Sequence, residues 1–259
     1  MFIDSHAHLY LPQFEDDIDE VIQRAIDSNV QKIFLPNIDS TTTDAMFKLS
    51  EKYPDVCYPM MGLHPCSVKE NYKEELTHIK EIKEQRNIYG VGELGIDLYW
   101  DKSFKEEQIA AFQTQIEWAI EWKLPIIIHS REALPLTIEI VENMKHQDLT
   151  GVFHCFAGTV EQAERIRAVG FYMGIGGVST FKNGGMDKTL PDMDLEGLIL
   201  ETDSPYLPPV PYRGKRNESS YIPIVAERIA ILKDIALEEV MKKTTYNSQQ
   251  LFGLASSET

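Results

Sequence analysis

The sequence predicts a parallel (β/α)8 TIM barrel, on three observations. Short apolar, β-branched segments recur eight times, longer segments with helical periodicity separate them, and histidines and acids sit where the segments end. A length of 259 residues, 43% hydrophobic, suits one such domain spanning 1–259. No Gly/Ser-rich or Pro-rich linker divides the chain, and its one proline cluster, Pro205 to Pro211, follows the eighth segment.

The elements follow in order. The first strand is expected over Met1 to Ser5 and leads into His6 and His8. Ile18, Val21, Ile22, Ala25 and Ile26 then recur at the spacing of an amphipathic helix. The second and third strands are expected over Lys32 to Pro36 and Val56 to Gly62, the third ending near His64. The fourth, Ile88 to Gly92, delivers Glu93, and a helical pattern runs through Ile109, Phe112, Ile116, Ala119 and Ile120. Pro125 to Ile128 delivers His129, Gly151 to Phe153 delivers His154, Gly170 to Gly174 is the seventh strand, and Leu198 to Leu200 leads to Glu201 and Asp203. A doubly wound open sheet shows the same alternation. Polar residues at the C-terminal ends of this many strands are the barrel pattern, because barrel enzymes build their chemistry at that face.

Composition excludes several classes. A net charge of -16 leaves no broad basic surface for nucleic acid, so a polyanionic substrate has to be held locally, as bound metal ions can do. Cys57, Cys66 and Cys155 lack C-x-x-C spacing, which indicates neither a disulfide framework nor a zinc knuckle and makes a reducing, cytoplasmic setting the expectation. The start, Met1 to His6, has no basic or apolar leader, and no apolar run is long enough for a bilayer, so a soluble, unprocessed protein with no membrane partner is expected.

Asp4, His6 and His8 alternate, so on a strand all three point to one face, the barrel interior. Two imidazoles at i and i+2 can converge on a divalent ion, although a lone H-x-H is short and ordinary hydrogen bonds would also satisfy it. His129 and His154 at the same barrel height change the balance, since each unsatisfied buried polar group costs about 1–3 kcal/mol and coordination satisfies several together. With carboxylates from Glu93 and Asp203, the set His6, His8, Glu93, His129, His154 and Asp203 suits two divalent ions bridged by a carboxylate. Gly90 to Gly95 also matches G-x-G-x-x-G. A dinucleotide site is rejected there, because Glu93 would oppose a pyrophosphate and Ile96 to Trp100 opens no helix.

Asp4-Ser5-His6-Ala7-His8-Leu9, Gly62-Leu63-His64-Pro65, Gly92-Glu93-Leu94-Gly95-Ile96-Asp97, His129-Ser130-Arg131, His154-Cys155-Phe156 and Glu201-Thr202-Asp203-Ser204-Pro205-Tyr206-Leu207 closely resemble the TatD family of metal-dependent deoxyribonucleases. The resemblance continues through Arg213 to Glu218 and on to Asn247, Leu251 and Phe252. It departs at Ser219, where the family pattern usually has proline. It implies an amidohydrolase-type barrel in which His6, His8, Glu93 and Asp203 hold one metal, and Glu93, His129 and His154 the other. Family members are described as magnesium-dependent or as binding zinc and other transition ions. The imidazole-rich set suits Zn, Mn or Fe, whereas Mg prefers oxygen ligands.

Around the metals, Asp203 is expected to ligate and to take a proton from metal-bound water. Glu201 is read as a catalytic or second-layer carboxylate, as a further metal ligand or as a structural hydrogen-bond partner, and His64 as a phosphoryl contact or a satisfied core histidine. Arg131, Arg213 and Lys215, with Arg216 beside them, form the candidate phosphate grip. Lys182 and Asn183 are weaker candidates, and His78 and His146 are assigned no function. Trp100, Trp118 and Trp122 have faces that could stack on bases, but the latter two fall at helical spacing and read as packing residues. The expected reaction is hydrolysis of DNA phosphodiesters from an accessible, single-stranded end, by water activated between two metals. A deacylase or small-molecule amidohydrolase using the same metals, or a metal-binding protein without turnover, are the alternatives.

Overall fold

Among the described residues, eight parallel strands follow one another in chain order: β1 (Phe2–Asp4), β2 (Val30–Pro36), β3 (Cys57–Met60), β4 (Val91–Asp97), β5 (Ile126–Arg131), β6 (Gly151–Phe153), β7 (Tyr172–Ile175) and β8 (Leu198–Leu200). The structure is a computed structural model and describes residues 1–254. Continuous pairing joins β1 to β3 and β4 to β8. The seam between β3 and β4 is bridged by Met61 N–H to Gly90 O (3.2 Å) and Gly92 N–H to Met61 O (2.9 Å). That between β8 and β1 is bridged by Ser5 N–H to Leu200 O (3.0 Å) and His8 N–H to Ser204 O (2.7 Å). The strands thus run around the predicted (β/α)8 barrel.

Helices α1 (Ile18–Asp27), α2 (Thr43–Lys52), α3 (Tyr72–Gln85), α4 (Lys105–Trp122), α5 (Leu134–Asn143) and α6 (Val160–Ala168) alternate with the strands. Each turns an apolar stripe inward, as in α1, where Val21, Ile22 and Ala25 are buried, and α4, where Phe112, Ile116 and Ala119 are. Trp118 and Trp122 stack on each other on α4, 5.5 Å between ring centroids, as packing residues. The regular repeat fails after β7, where short 3-10 turns and the single helical turn α7 (Met186–Thr189) stand in for a full helix. Two helices then follow β8, α8 (Ile222–Lys233) and α9 (Leu237–Leu251).

The barrel interior carries an apolar layer of Ile3, Phe34, Met60, Ile127, Val152 and Ile199. Phe252, just beyond α9, packs into this layer and stacks on Phe34 with centroids 3.6 Å apart. Among the described residues no helix is long and apolar enough to cross a membrane.

The fourth strand differs from expectation. It was expected to end at Gly92 but starts at Val91 and runs to Asp97, entirely buried, so Glu93 is its third residue and lies inside the barrel wall. It pairs with β5 as far as Asp97 and Arg131, which carries β5 past His129 as well. Gly95 permits this close pairing: its φ is +140° and a Cβ there would meet His129 O at 2.0 Å. The glycines of G-x-G-x-x-G therefore make room for β5, and the segment is a strand opening no helix.

Candidate metal centre

The seam between β1 and β8 fixes the first imidazoles. Beyond the strand ends, Asp203 N–H donates to His6 O (2.9 Å) and His8 N–H to Ser204 O. Asp4, beneath them, accepts from His6 N–H (3.3 Å), Thr202 N–H (3.0 Å), Thr202 Oγ1 (2.6 Å) and Ser219 Oγ (2.7 Å), so it ties the two chain segments together and stays out of the imidazole cluster. Ser219, the departure from the family pattern, thus reaches the carboxylate that positions His6. Asp203 itself has φ +58°, a left-handed conformation more accessible to Asp than to most side chains, which turns its carboxylate back to the cluster.

Glu93 stands at the centre, its backbone held by Asn37, whose N–H donates to Gly92 O (3.1 Å) and whose carbonyl accepts from Glu93 N–H (3.0 Å). Its two carboxylate oxygens face two different groups. Oε2 lies 3.1 Å from His6 Nε2 and 3.4 Å from His8 Nε2, while Oε1 lies 2.9 Å from His129 Nδ1, 3.1 Å from His154 Nε2 and 3.4 Å from His64 Nε2. Asp203 Oδ1 completes the first group, 3.7 Å from His6 Nε2 and 3.6 Å from His8 Nε2. All six residues expected to bind metal are brought together, in overlapping groups of His6 with His8 and Asp203, His6 with Glu93 and His154, and His64 with Glu93 and His129.

The hydrogen bonds on the far side of His8, His129 and His64 assign their tautomers. Tyr10 donates its single hydroxyl proton to Pro36 O, so its oxygen, 2.9 Å from His8 Nδ1, accepts from that nitrogen and leaves His8 Nε2 with a lone pair facing Glu93. Asp97 Oδ2, 2.9 Å from His129 Nε2, does the same for His129 and leaves Nδ1 free. Glu201 lies behind His154, with Oε1 3.5 Å from Nδ1 and held by the Cys155 N–H. Its other oxygen has no partner among the described residues and lies where a Cβ on Gly174 would collide with it. Glu201 therefore backs a ring and does not face the cluster. His64 is reversed: the Cys66 N–H donates to its Nδ1 (3.0 Å), so in the neutral ring Nε2 carries the proton. His64 presents a donor to the cluster where His8 and His129 present acceptors.

Nitrogen and oxygen lone pairs gathered this closely repel unless a cation lies between them. His6 Nε2 and His8 Nε2 are 3.2 Å apart, and among the described residues the buried Nδ1 atoms of His6 and His154 find no hydrogen bond. The donor set of imidazoles and carboxylates fits divalent metal, with transition ions favoured over magnesium by the nitrogen content. The electrostatics divide the rings: burial lowers all of them, but at His64, His129 and His154 the facing carboxylates, and at His8 Tyr10 with the carboxylates, outweigh it and hold these four above the ordinary imidazole value. Burial would raise the Glu93 carboxyl, but the imidazoles of His64, His154 and His6 and the bond to His129 hold it well below the carboxylate range. Burial and the neighbouring His154 lower His6, favouring its neutral, ligating form.

Tyr10 and Asp97 were not singled out from the sequence. The signal for Asp97 was available: it ends the quoted Gly92 to Asp97 motif, at a strand end like the other polar residues.

The mouth holds the remaining candidates. Among the described residues, Arg24, Arg86, Arg165, Arg167 and Arg216 each pair with a carboxylate and Arg228 donates to Ser179 O, whereas no acceptor meets the guanidinium of Arg131 or Arg213. Each of these two lies 3.8 Å over an aromatic ring, Arg131 on Tyr99 and Arg213 on Phe181. Arg216 leaves the expected basic cluster, because Asp17 binds it in two places (2.6 and 2.7 Å). Lys215 is exposed with its Nζ 5.7 Å over Tyr212. Lys182 and Asn183 line one cleft of about 510 Å³ with Arg213. His78 bonds Thr43 and His146 lies beside Asp148, both outside the cluster.

The chain is similar to known proteins over nearly its whole length. The family model described as TatD related DNase matches residues 3–253. The uncharacterized metal-dependent hydrolase YabD of Bacillus subtilis is 39% identical over 97% of this chain and 99% of its own. A protein of Erwinia tasmaniensis named 3'-5' ssDNA/RNA exonuclease TatD is 30% identical, again over 97% and 99%. The crystal structure of YjjV, a TatD homologue from Escherichia coli, superposes with a TM-score of 0.92 at 28% identity, covering 98% of both chains.

Proposed function

This chain belongs to the TatD-related DNase family of metal-dependent hydrolases, and on that premise we propose that it hydrolyses phosphodiester bonds at the accessible end of single-stranded DNA. The observation that carries the reading is the division of Glu93, one oxygen towards His6 and His8 and the other towards His129 and His154. That division suits a carboxylate shared by two ions, with Asp203 completing the first group. Two bound divalent ions, of Zn, Mg, Mn or Fe type, would supply an activated water and neutralise charge developing on phosphorus.

The remaining roles belong to the chain's own groups. Asp203, open to the mouth with its side chain 15% exposed, takes the proton of the attacking water. His64 donates from Nε2 to a phosphoryl oxygen. Glu201 holds His154 in register. Arg131 and Arg213, free of acceptors among the described residues and held against Tyr99 and Phe181, grip substrate phosphates, with Lys215 adding charge. Two cations held in place serve a protein of net charge -16 better than a broad basic face, which it lacks. The exonuclease reading also draws on the name of the Erwinia relative, which includes RNA, so both backbones belong in the test.

The test is a chelation and add-back assay on end-labelled single-stranded DNA and RNA with Mg, Mn and Zn, alongside a neutral ester. Metal-dependent shortening of the DNA from one end is the expected result. Cleavage without metal, or none with any ion, would sink the proposal.

A further inference from the structure

Trp100 is the most exposed aromatic residue among those described, with 69% of its surface in water, and its neighbour Tyr99 is 48% exposed. The two rings meet edge to face at 4.8 Å, and Arg131 lies under both, 3.8 Å from the Tyr99 centroid and 5.3 Å from that of Trp100. Leaving so large an apolar face in water is unfavourable, and such faces on a surface mark contact sites.

This shelf is pinned to the metal centre. Asp97 uses one oxygen for His129 Nε2 (2.9 Å) and the other for the backbone N–H groups of Tyr99 (2.9 Å) and Trp100 (3.2 Å). Leu98 N–H donates to Arg131 O (2.9 Å), and Lys69 holds Asp101 (3.1 Å) on the far side of the loop. A single carboxylate therefore sets both the ring of a candidate metal ligand and the indole's place at the mouth. The shelf is held in advance of any ligand, so little ordering cost falls on binding.

An exposed aromatic face beside an arginine with free donors matches the chemistry of one ligand class, an unpaired nucleobase with its phosphate. We propose that Trp100 stacks on a base of single-stranded nucleic acid while Arg131 holds the adjoining phosphate, so that unpaired bases are selected at the mouth. The proposal rests on the nuclease reading for its substrate class. It adds a base-binding site that the metal centre does not require.

The test measures binding without turnover. The protein as purified is titrated into two fluorescent phosphorothioate decamers with the same number of phosphates, one decathymidylate and one abasic. The wild type should bind the thymidylate oligomer about tenfold more tightly, within the range of aromatic stacking on a base. Trp100→Ala should bring the ratio near one without changing affinity for the abasic oligomer, and Trp100→Phe should keep most of the ratio. A ratio unchanged in Trp100→Ala, an equal loss on both oligomers, or a wild type that binds both equally or neither, overturns the site. A Trp100-dependent ratio in a protein that hydrolyses nothing upholds the stacking site and fails the reaction. Hydrolysis with a ratio indifferent to Trp100 does the reverse.

Discussion

Asp97 Oδ2 and His129 Nε2 lie 2.9 Å apart, and this contact decides which nitrogen of His129 faces Glu93. A carboxylate can only accept, so Nε2 carries the proton and Nδ1 keeps its lone pair for the cluster. The Asp97 carboxyl is held far below its usual range: burial opposes ionisation, but the His129 bond and the Tyr99 and Trp100 N–H groups outweigh it. Asp97→Asn keeps the shape and can donate to Nε2, which would put the ring proton on Nδ1. Metal affinity should fall about 10- to 100-fold, the usual cost of losing an orienting partner. Calorimetric titration of chelator-stripped protein checks this, and unaltered affinity would show that the tautomer is set otherwise.

His64 and His129 both approach Glu93 Oε1, at 3.4 and 2.9 Å, yet their hydrogen bonds oppose each other. His64 Nδ1 accepts from Cys66, leaving a donor inward, whereas His129 leaves an acceptor. His64→Ala should retain metal and lose about 10²- to 10³-fold in turnover, as when a donor to developing charge is removed. His129→Ala should lose metal first. Elemental analysis of the two variants beside their rates separates them, and loss of metal from His64→Ala would make that ring a ligand.

Tyr10 joins His8 Nδ1 to the Pro36 carbonyl, so its hydroxyl serves two buried groups. Tyr10→Phe should weaken metal binding and cost about 1–3 kcal/mol of stability through the unsatisfied pair. Urea denaturation in the presence of chelator isolates the second effect, and a variant as stable as the wild type contradicts it.

Most of the barrel and all six candidate ligands were legible in the sequence, because a strand ending in a histidine or acid is a local pattern. Gly151 to Phe153 and Leu198 to Leu200 are strands with the expected bounds. The error at β4 came from reading Gly92 as a stop, when the close approach of β5 is what needs glycines there. The roles of the ring partners were less visible: Tyr10 lies only two residues from His8, but the Pro36 carbonyl that takes its proton, like the His129 ring that Asp97 holds, is distant in the chain. Arg216 shows the same limit. Its neighbours suggest a free cation, and only the fold brings Asp17 across to take it.

The loop bearing Arg213 and Lys215 is anchored to α1 by Glu218, and this anchor should fail in acid. Glu218 Oε1 and Oε2 accept from Arg24 at 3.0 and 2.7 Å, and Asn217 beside it donates to Thr202 O and Tyr206 O, both at 2.7 Å. Burial would raise the Glu218 carboxyl, but Arg24 and Ser220 hold it below its ordinary value. A folded-state pKa below the unfolded value means that the stability is fully present above about pH 4.3, the unperturbed value for Glu. It is lost as pH falls through the folded value. Arg24 stays charged throughout and adds no titration in that window. Glu218→Gln should therefore be less stable than the wild type by about 1–2 kcal/mol at pH 7, discounted for the 44% exposure of the Arg24 side chain. The gap should narrow steadily below pH 4. Urea denaturation at pH 7 and in steps down to pH 3 measures it, and a gap constant across that range would mean that the carboxylate charge contributes nothing to the anchor.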